Sequence, residues 1–272
     1  NLPLACNILY ARNDYGRVVR DACEAGANII ITGAGIPTNM PEFTKNFPDV
    51  ALVPIVSSAR ALKLICKKWQ RYNKIPDAVI VEGPLSGGHQ GFKYEDCYKE
   101  EFQLENIVPP VIEEAKKWGD IPVIAAGGIW DKKDIDKFIS LGCAGVQMAT
   151  RFIGTFECDA DDKFKDVLLN AKEDDIILMS SPVGLPARGV KTNLQFSIEN
   201  HTAPKVQCIS NCVAPCNRGT EAKIVGYCIA DRLGAAYKGD VETGLFFSGS
   251  NGYKIDKIIS VKELMEKLTK GE

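Results

Sequence analysis

Pro122-Val-Ile-Ala-Ala-Gly-Gly-Ile129, followed one unit later by Gly145-Val-Gln-Met-Ala-Thr-Arg-Phe152, decides how the rest of the chain is read. Each is a short apolar run that stops at glycine or small polar residues and passes into a stretch of helical periodicity, the pattern of a strand followed by a helix. The same unit recurs upstream. Runs rich in β-branched residues at 5–10, 28–33, 50–56 and 78–82 join those at 122–126 and 145–150, so six βα units are expected. Amphipathic segments at 15–24, 59–69, 106–118 and 132–141 have the length of return crossovers in a parallel sheet. Ile29-Ile30-Ile31 and Val79-Ile80-Val81 are apolar without alternation, as strands covered on both faces require.

Glycine and polar residues gather at the carboxyl end of nearly every run: Thr32-Gly33-Ala34-Gly35, Ser57-Ser58, Glu82-Gly83, Gly127-Gly128 and Gln147 through Thr150. A barrel builds its site from all its strand ends, whereas an open doubly wound sheet uses mainly its switch point. The pattern predicts a (β/α)8 TIM barrel over residues 1–180. Six units against eight place the first two βα units outside this sequence. From 181 to 272 the alternation stops: Gly184-Leu185-Pro186, a cysteine-rich stretch from Cys208 to Cys228 and a final helix near 261–269 predict a C-terminal cap packed on the barrel.

Composition narrows the function. The 272 residues, 45% hydrophobic and 25% charged, suit one barrel-sized core. A formal net charge of −2 gives no electrostatic basis for nucleic acid or an anionic membrane as partner, which leaves a small-molecule substrate, with a homodimer open. No apolar run approaches the ~18 residues of a spanning helix, and Asn1-Leu2-Pro3-Leu4 lacks the features of a secretion signal, so a cytoplasmic protein with reduced cysteines is expected.

Two constellations carry chemistry. At Gly127-Gly128, glycines without Cβ let backbone N–H groups approach a phosphate, and Gln147 to Thr150 form the next strand end, with helix N-termini behind both, as a phosphate site late in a barrel requires. The other is Val81-Glu-Gly-Pro-Leu-Ser-Gly-Gly-His-Gln-Gly91, which sets an imidazole in a glycine-rich loop just past a strand. Of the two histidines, His89 and His201, only His89 stands at a strand end, where a group titrating near neutrality can move a proton.

Asn7-Ile-Leu9, Thr32-Gly-Ala-Gly35, Glu82-Gly83 with Gly87-Gly-His89, Ala125-Ala-Gly-Gly-Ile129 and Gly145 to Phe152 together resemble the 2-nitropropane dioxygenase family, which holds nitronate monooxygenases and flavin-dependent enoyl-acyl-carrier-protein reductases. The likeness runs in order over residues 5 to 155. It implies an FMN barrel in which Asn7 and Glu82 face the flavin ring, Gly87 and Gly88 line it, and Ala126, Gly127, Gly128, Gln147, Met148, Ala149 and Thr150 hold the ribityl phosphate. His89 is then the catalytic base. The chain departs from the family at two of these places: Ile55 stands where some members carry lysine, and Ala149 where many carry glycine.

The activity so implied is oxidation of an alkyl nitronate by dioxygen through FMN, with His89 removing an α-proton from a neutral nitroalkane or hydrogen-bonding the nitronate. An alternative on the same scaffold reduces an enoyl thioester with NAD(P)H. Two others are a flavin-free isomerase or lyase acting on a phosphorylated metabolite, and a non-catalytic store of flavin or metal. Cys208, Cys212, Cys216 and Cys228 are close enough in sequence to ligate one tetrahedral zinc or one iron–sulfur cluster. Their spacing is similar to the cluster motif of flavin barrels related to 2,4-dienoyl-CoA reductase, whose first gap is one residue shorter. A metal centre at these four residues is therefore expected.

Overall fold

The computed structural model describes residues 3–203, 206, 208, 211–214, 216 and 226–271. They form two compact units that alternate along the chain: Asn1–Gly83, Glu100–Ala126 and Lys137–Gln147 make the first, and Pro84–Lys99, Gly127–Asp136 and Met148–Glu272 the second.

The first unit is a parallel α/β layer. Its strands are β1 (Ala5–Leu9), β2 (Ile29–Gly33), β3 (Ala51–Val56), β4 (Val79–Glu82), β6 (Val123–Ala126) and β7 (Gly145–Gln147), hydrogen-bonded in the order β1-β2-β3-β4-β6-β7. That order follows the chain without reversal. A doubly wound sheet reverses at its switch point, so the winding is that of a barrel.

The helices of this unit form where apolar residues recur on one face. α1 (Tyr15–Glu24) buries Tyr15, Val19 and Cys23, and α3 (Ala59–Trp69) buries Leu62, Ile65, Cys66 and Trp69. The Ser58 hydroxyl accepts from Ala61 N at 3.3 Å to open α3, and Lys67 and Lys68 meet the negative end of its dipole in the last turn. Between them the short α2 (Met40–Phe43) puts Phe43 edge-on to Tyr15, ring centroids 5.6 Å apart. α4 (Leu104–Lys116) carries Pro109 and Pro110, still packs on α3, and buries Ile107, Val108 and Val111. Its bounds, and those of α5 (Lys132–Ser140), lie within two residues of the periodicity.

Register places Asn7, Ile31 and Val53 side by side, then Ile55 with Ile80, and Glu82 with Ala126 and Gln147. Because side chains alternate along a strand, all of these share one sheet face. An apolar cluster of Val53, Ile80 and Ala126, flanked by Ile29, Ile31, Ile55 and Ile124, fills that face, and Glu82 and Gln147 stand at its carboxyl-terminal rim.

The second unit is built on a different plan. Its sheet, in the order β5-β9-β8, is antiparallel: β5 (Gly88–His89) pairs with β9 (Pro186–Val190), which pairs with β8 (Ile176–Ser180). The periodicity of the sequence did not predict β8 or β9. Around the sheet lie α6 (Thr150–Ile153), α7 (Asp162–Leu169), α8 (Asn193–Glu199), α9 (Ile229–Tyr237) and α10 (Val261–Lys270), the last the expected final helix. Trp130, Leu168, Val190, Ala236, Phe246 and Ile255 form one core, and Leu194, Tyr227, Ile229 and Leu245 another. Among the described residues no helix is long and apolar enough to cross a membrane.

Candidate active site

The residues singled out in the sequence fall into the two units, each with its own construction. In the first, Asn7, Glu82, Ala126 and Gln147 share the sheet face just described. Asn7 is exposed, Ala126 is buried, and Glu82 and Gln147 are half-buried. Burial pushes the Glu82 carboxyl up to about 7, because charge is disfavoured where water is excluded. Ile55, in register with Ile80, lies on the same face, so a sec-butyl group stands where the resemblance noted above gives some members a lysine.

In the second unit the Gly-Gly-His loop is held from several sides. His89 lies on β5 opposite Ala187, and its Nε2 is 2.7 Å from the Ser181 hydroxyl. The Phe247 ring stands edge-on to the imidazole, centroids 5.4 Å apart at 81°. Burial pulls the His89 pKa below its ordinary 6.5, so the ring is neutral at pH 7 and able to accept a proton. Ser181 is buried and its amide donates to Leu185 O at 3.1 Å, which fixes the hydroxyl that meets His89. Beneath the loop, the Gln90 side-chain amide donates to Ser86 O at 2.8 Å and to Gly88 O at 2.9 Å. Arg188, buried on β9 opposite Gly88, donates to Pro84 O at 2.9 Å.

The Gly127-Gly128 turn requires glycine. Both residues have positive φ, 97° and 77°, and a Cβ on Gly128 would stand 2.9 Å from Leu85 Cβ. Asn251 Nδ2 donates to Gly128 O at 2.6 Å, which fixes the turn from outside. The neighbouring Gly249 N donates to the Thr150 hydroxyl at 2.9 Å, and Ser250 N donates to Leu85 O at 3.0 Å. A Cβ on Gly87 would stand 2.7 Å from Gly249 N. The segment Ser248-Gly249-Ser250-Asn251 therefore touches the Gly87 loop, the Gly128 turn and the Thr150 strand end. Within this unit it brings together three of the features expected from sequence.

Sequence reasoning missed that segment, along with Ser181 and Arg188. The string Ser248-Gly-Ser-Asn-Gly252 has the composition of a turn, a signal that marks a loop but not its contacts. The metal expectation receives no support. Among the described residues no group of three or more His, Cys, Asp or Glu side chains could hold a metal. Cys208 is exposed, Cys212 and Cys216 are half-buried, and Cys228 immediately precedes α9. A metal requires thiolates that converge in space, at about 2.3 Å from zinc, and spacing along the chain does not ensure that. The residues between these cysteines at 209, 210, 215 and 217–225 lie outside the described residues.

The turn can fit a flavin phosphate: Gly127 and Gly128 both hold positive φ, a Cβ on Gly128 would meet Leu85, and Asn251 fixes the Gly128 carbonyl. A probable nitronate monooxygenase of Staphylococcus aureus (strain Newman) is 34% identical over 119 residues, 42% of this chain and 31% of the relative, so the match spans about a third of that protein's length. The solved structure of FabK from Thermotoga maritima superposes with a TM-score of 0.78 at 26% identity, covering 100% of this chain and 76% of that one. Nitroalkane oxidase from Streptomyces ansochromogenes shares the fold at a TM-score of 0.69 and 18% identity, over 99% of this chain and 80% of the other. The α/β architecture is thus TIM-barrel-like, as expected. The sequence profile of the nitronate monooxygenase family matches residues 1–271, and the chain belongs to that family.

Proposed function

We propose that the protein is an FMN-dependent oxidoreductase that oxidises alkyl nitronates with dioxygen. The observation that carries this reading is His89: a buried, neutral imidazole fixed by Ser181 and Phe247 in the loop that Gly87 and Gly88 open. Gly127, Gly128, Met148, Ala149 and Thr150 would hold the ribityl phosphate, with Gly87 and Gly88 along the ring. Under the family pattern Asn7 and Glu82 would face the flavin ring, and Ala126 and Gln147 would join the residues that hold the phosphate. Bound FMN supplies the electron-accepting and oxygen-reactive chemistry.

The chain's own part is proton handling and exclusion of water. Neutral His89 accepts the α-proton of a nitroalkane, which turns the substrate into its nitronate, or in its protonated form donates a hydrogen bond to a nitronate oxygen. Ser181 keeps the ring oriented in both roles. Glu82, raised to about 7, is neutral in a large fraction of molecules at physiological pH and can then donate a hydrogen bond of its own. Family membership favours this flavin chemistry over a flavin-free isomerase or lyase.

The likeness to FabK across the whole chain supports a second reading, reduction of an enoyl thioester with NAD(P)H, in which His89 orients the substrate carbonyl. One experiment separates the two. Oxygen uptake with alkyl nitronates is measured beside NAD(P)H consumption with enoyl thioesters, on protein whose flavin content is known. Turnover of nitronate alone supports the proposal, and turnover of enoyl thioester alone replaces it with the second reading.

A further inference from the structure

The segment Ser248-Gly249-Ser250-Asn251 carries two serines that the fold uses differently. The Ser248 hydroxyl donates to Gly249 O at 3.0 Å, so its proton is committed within the loop. Ser250 is half-buried and its Oγ is hidden from solvent, yet among the described residues that hydroxyl has no hydrogen-bond partner. A buried hydroxyl without a partner destabilises the chain that carries it, and alanine at the same place would not. Such atoms in native proteins call for a cause, and a partner that arrives with a ligand is one.

The residues on either side fix where Ser250 stands. Gly249 N donates to the Thr150 hydroxyl at 2.9 Å, and Asn251 Nδ2 donates to Gly128 O at 2.6 Å. The Ser250 amide itself donates to Leu85 O at 3.0 Å, and Leu85 is the side chain that closes on Gly128. Ser250 is thereby held between the two strand ends that, on the FMN reading, take the ribityl phosphate. A Cβ on Gly249 would stand 3.2 Å from both Leu85 O and the Thr150 hydroxyl, so a larger residue there would wedge the segment away from them.

Charge argues in the same direction. Gly127, Gly128, Met148, Ala149 and Thr150 carry no cationic side chain. A phosphate monoester is largely dianionic at pH 7, so neutral residues must meet its oxygens with N–H and O–H donors. The Ser250 hydroxyl is such a donor. We propose that Ser250 is a further ligand of the flavin phosphate, its Oγ donating to a phosphate oxygen. The inference rests on the FMN reading of the Gly127-Gly128 turn and adds to it a residue that the sequence motifs do not include.

Fluorescence-quenching titration of the whole apoprotein with FMN, and with riboflavin, which lacks the phosphate, tests this in wild type and Ser250→Ala. FMN affinity should fall about ten- to a hundredfold, the range of a hydrogen bond to a charged acceptor, while riboflavin affinity is unchanged. The unfolding midpoint of the apoprotein should stay level or rise, because the variant loses a hydroxyl that was unmatched. Equal FMN affinity in the two proteins overturns the proposal and leaves a water molecule as the partner of Ser250. An equal loss for FMN and riboflavin also overturns it, since Ser250 would then act through the shape of the loop. Phosphorus NMR of bound FMN gives a readout that needs no riboflavin: the resonance should move in Ser250→Ala, and an unmoved resonance overturns the proposal. Wild-type protein that binds no FMN removes the FMN reading and this role together, whereas equal FMN binding by both proteins removes only the role of Ser250.

Discussion

The two units of the chain hold their functional residues by opposite means. In the first, position follows from periodicity: parallel strands in chain order put Asn7, Glu82, Ala126 and Gln147 on one face because register and alternation leave no other choice. In the second, position follows from hydrogen bonds between loops remote in sequence, as when Asn251 fixes Gly128 and Ser181 fixes His89. The first construction places residues through a packed core, so damage to it appears as lost stability. The second places them through a few polar contacts, so damage to it appears as lost cofactor or lost turnover in a protein that still folds.

Trp69→Ala should break the first construction most severely. Trp69 is fully buried on α3 and its indole N–H donates to Pro37 O at 2.8 Å, so truncation leaves both a cavity and an unmatched carbonyl. Loss of a buried Trp side chain costs about 3–5 kcal/mol, which denaturant titration will show as a lower midpoint. Trp69→Phe, which keeps most of the volume, should recover the greater part.

His89→Ala addresses the second construction at its chemical centre. A general base contributes ~10²- to 10⁴-fold in rate, so the variant should keep FMN and the wild-type unfolding midpoint while losing that factor on neutral nitroalkane, and less on preformed nitronate. Equal loss on both substrates would make His89 a binding residue only. Because burial lowers its pKa, protonation of His89 opposes folding, and kcat/KM on nitroalkane should rise with pH through a value below 6.5 and then level.

Asn251→Ala is a milder test of the same construction. Removing the bond to Gly128 O leaves a partly buried carbonyl unsatisfied, a cost of roughly 1–3 kcal/mol. The affinity for FMN, read by fluorescence quenching, should fall about five- to a hundredfold on that scale, with the unfolding midpoint of the apoprotein moved less than in Trp69→Ala.

The smallest effect is expected at Glu82. Its carboxyl binds a proton more tightly in the folded chain than in the unfolded one, where the ordinary value is 4.5. Its contribution is therefore complete below pH 4.5 and is lost as pH rises towards about 7. Glu82→Gln should flatten that decline in thermal unfolding curves taken between those pH values. Ile55→Lys, which restores the cation present in some family members, should pull the Glu82 carboxyl back down.

What could be read from sequence follows the same division. The six parallel strands, the helices α1 and α3 and the final helix were legible because buried faces impose a period on the residues that fill them. The Gly-Gly and Gly-Gly-His loops were legible because residue type alone narrows their chemistry. Ser181, Arg188 and the 248–251 segment were not, since the contact between Ser181 and His89 spans 92 residues and leaves no periodic trace. The four cysteines stand apart: closeness along the chain suggested a convergence that the described residues do not support.

The central claim is that the Gly127-Gly128 turn holds the phosphate of a flavin, and the flavin content of purified Gly128→Glu measures it directly. The wild-type protein should be yellow and release close to one equivalent of FMN on heat denaturation. The variant, in which a strained side chain and a negative charge enter the turn, should be colourless even after incubation with excess FMN, with circular dichroism used to check that the chain folds. A folded variant that keeps full FMN occupancy would contradict the account and move the cofactor elsewhere.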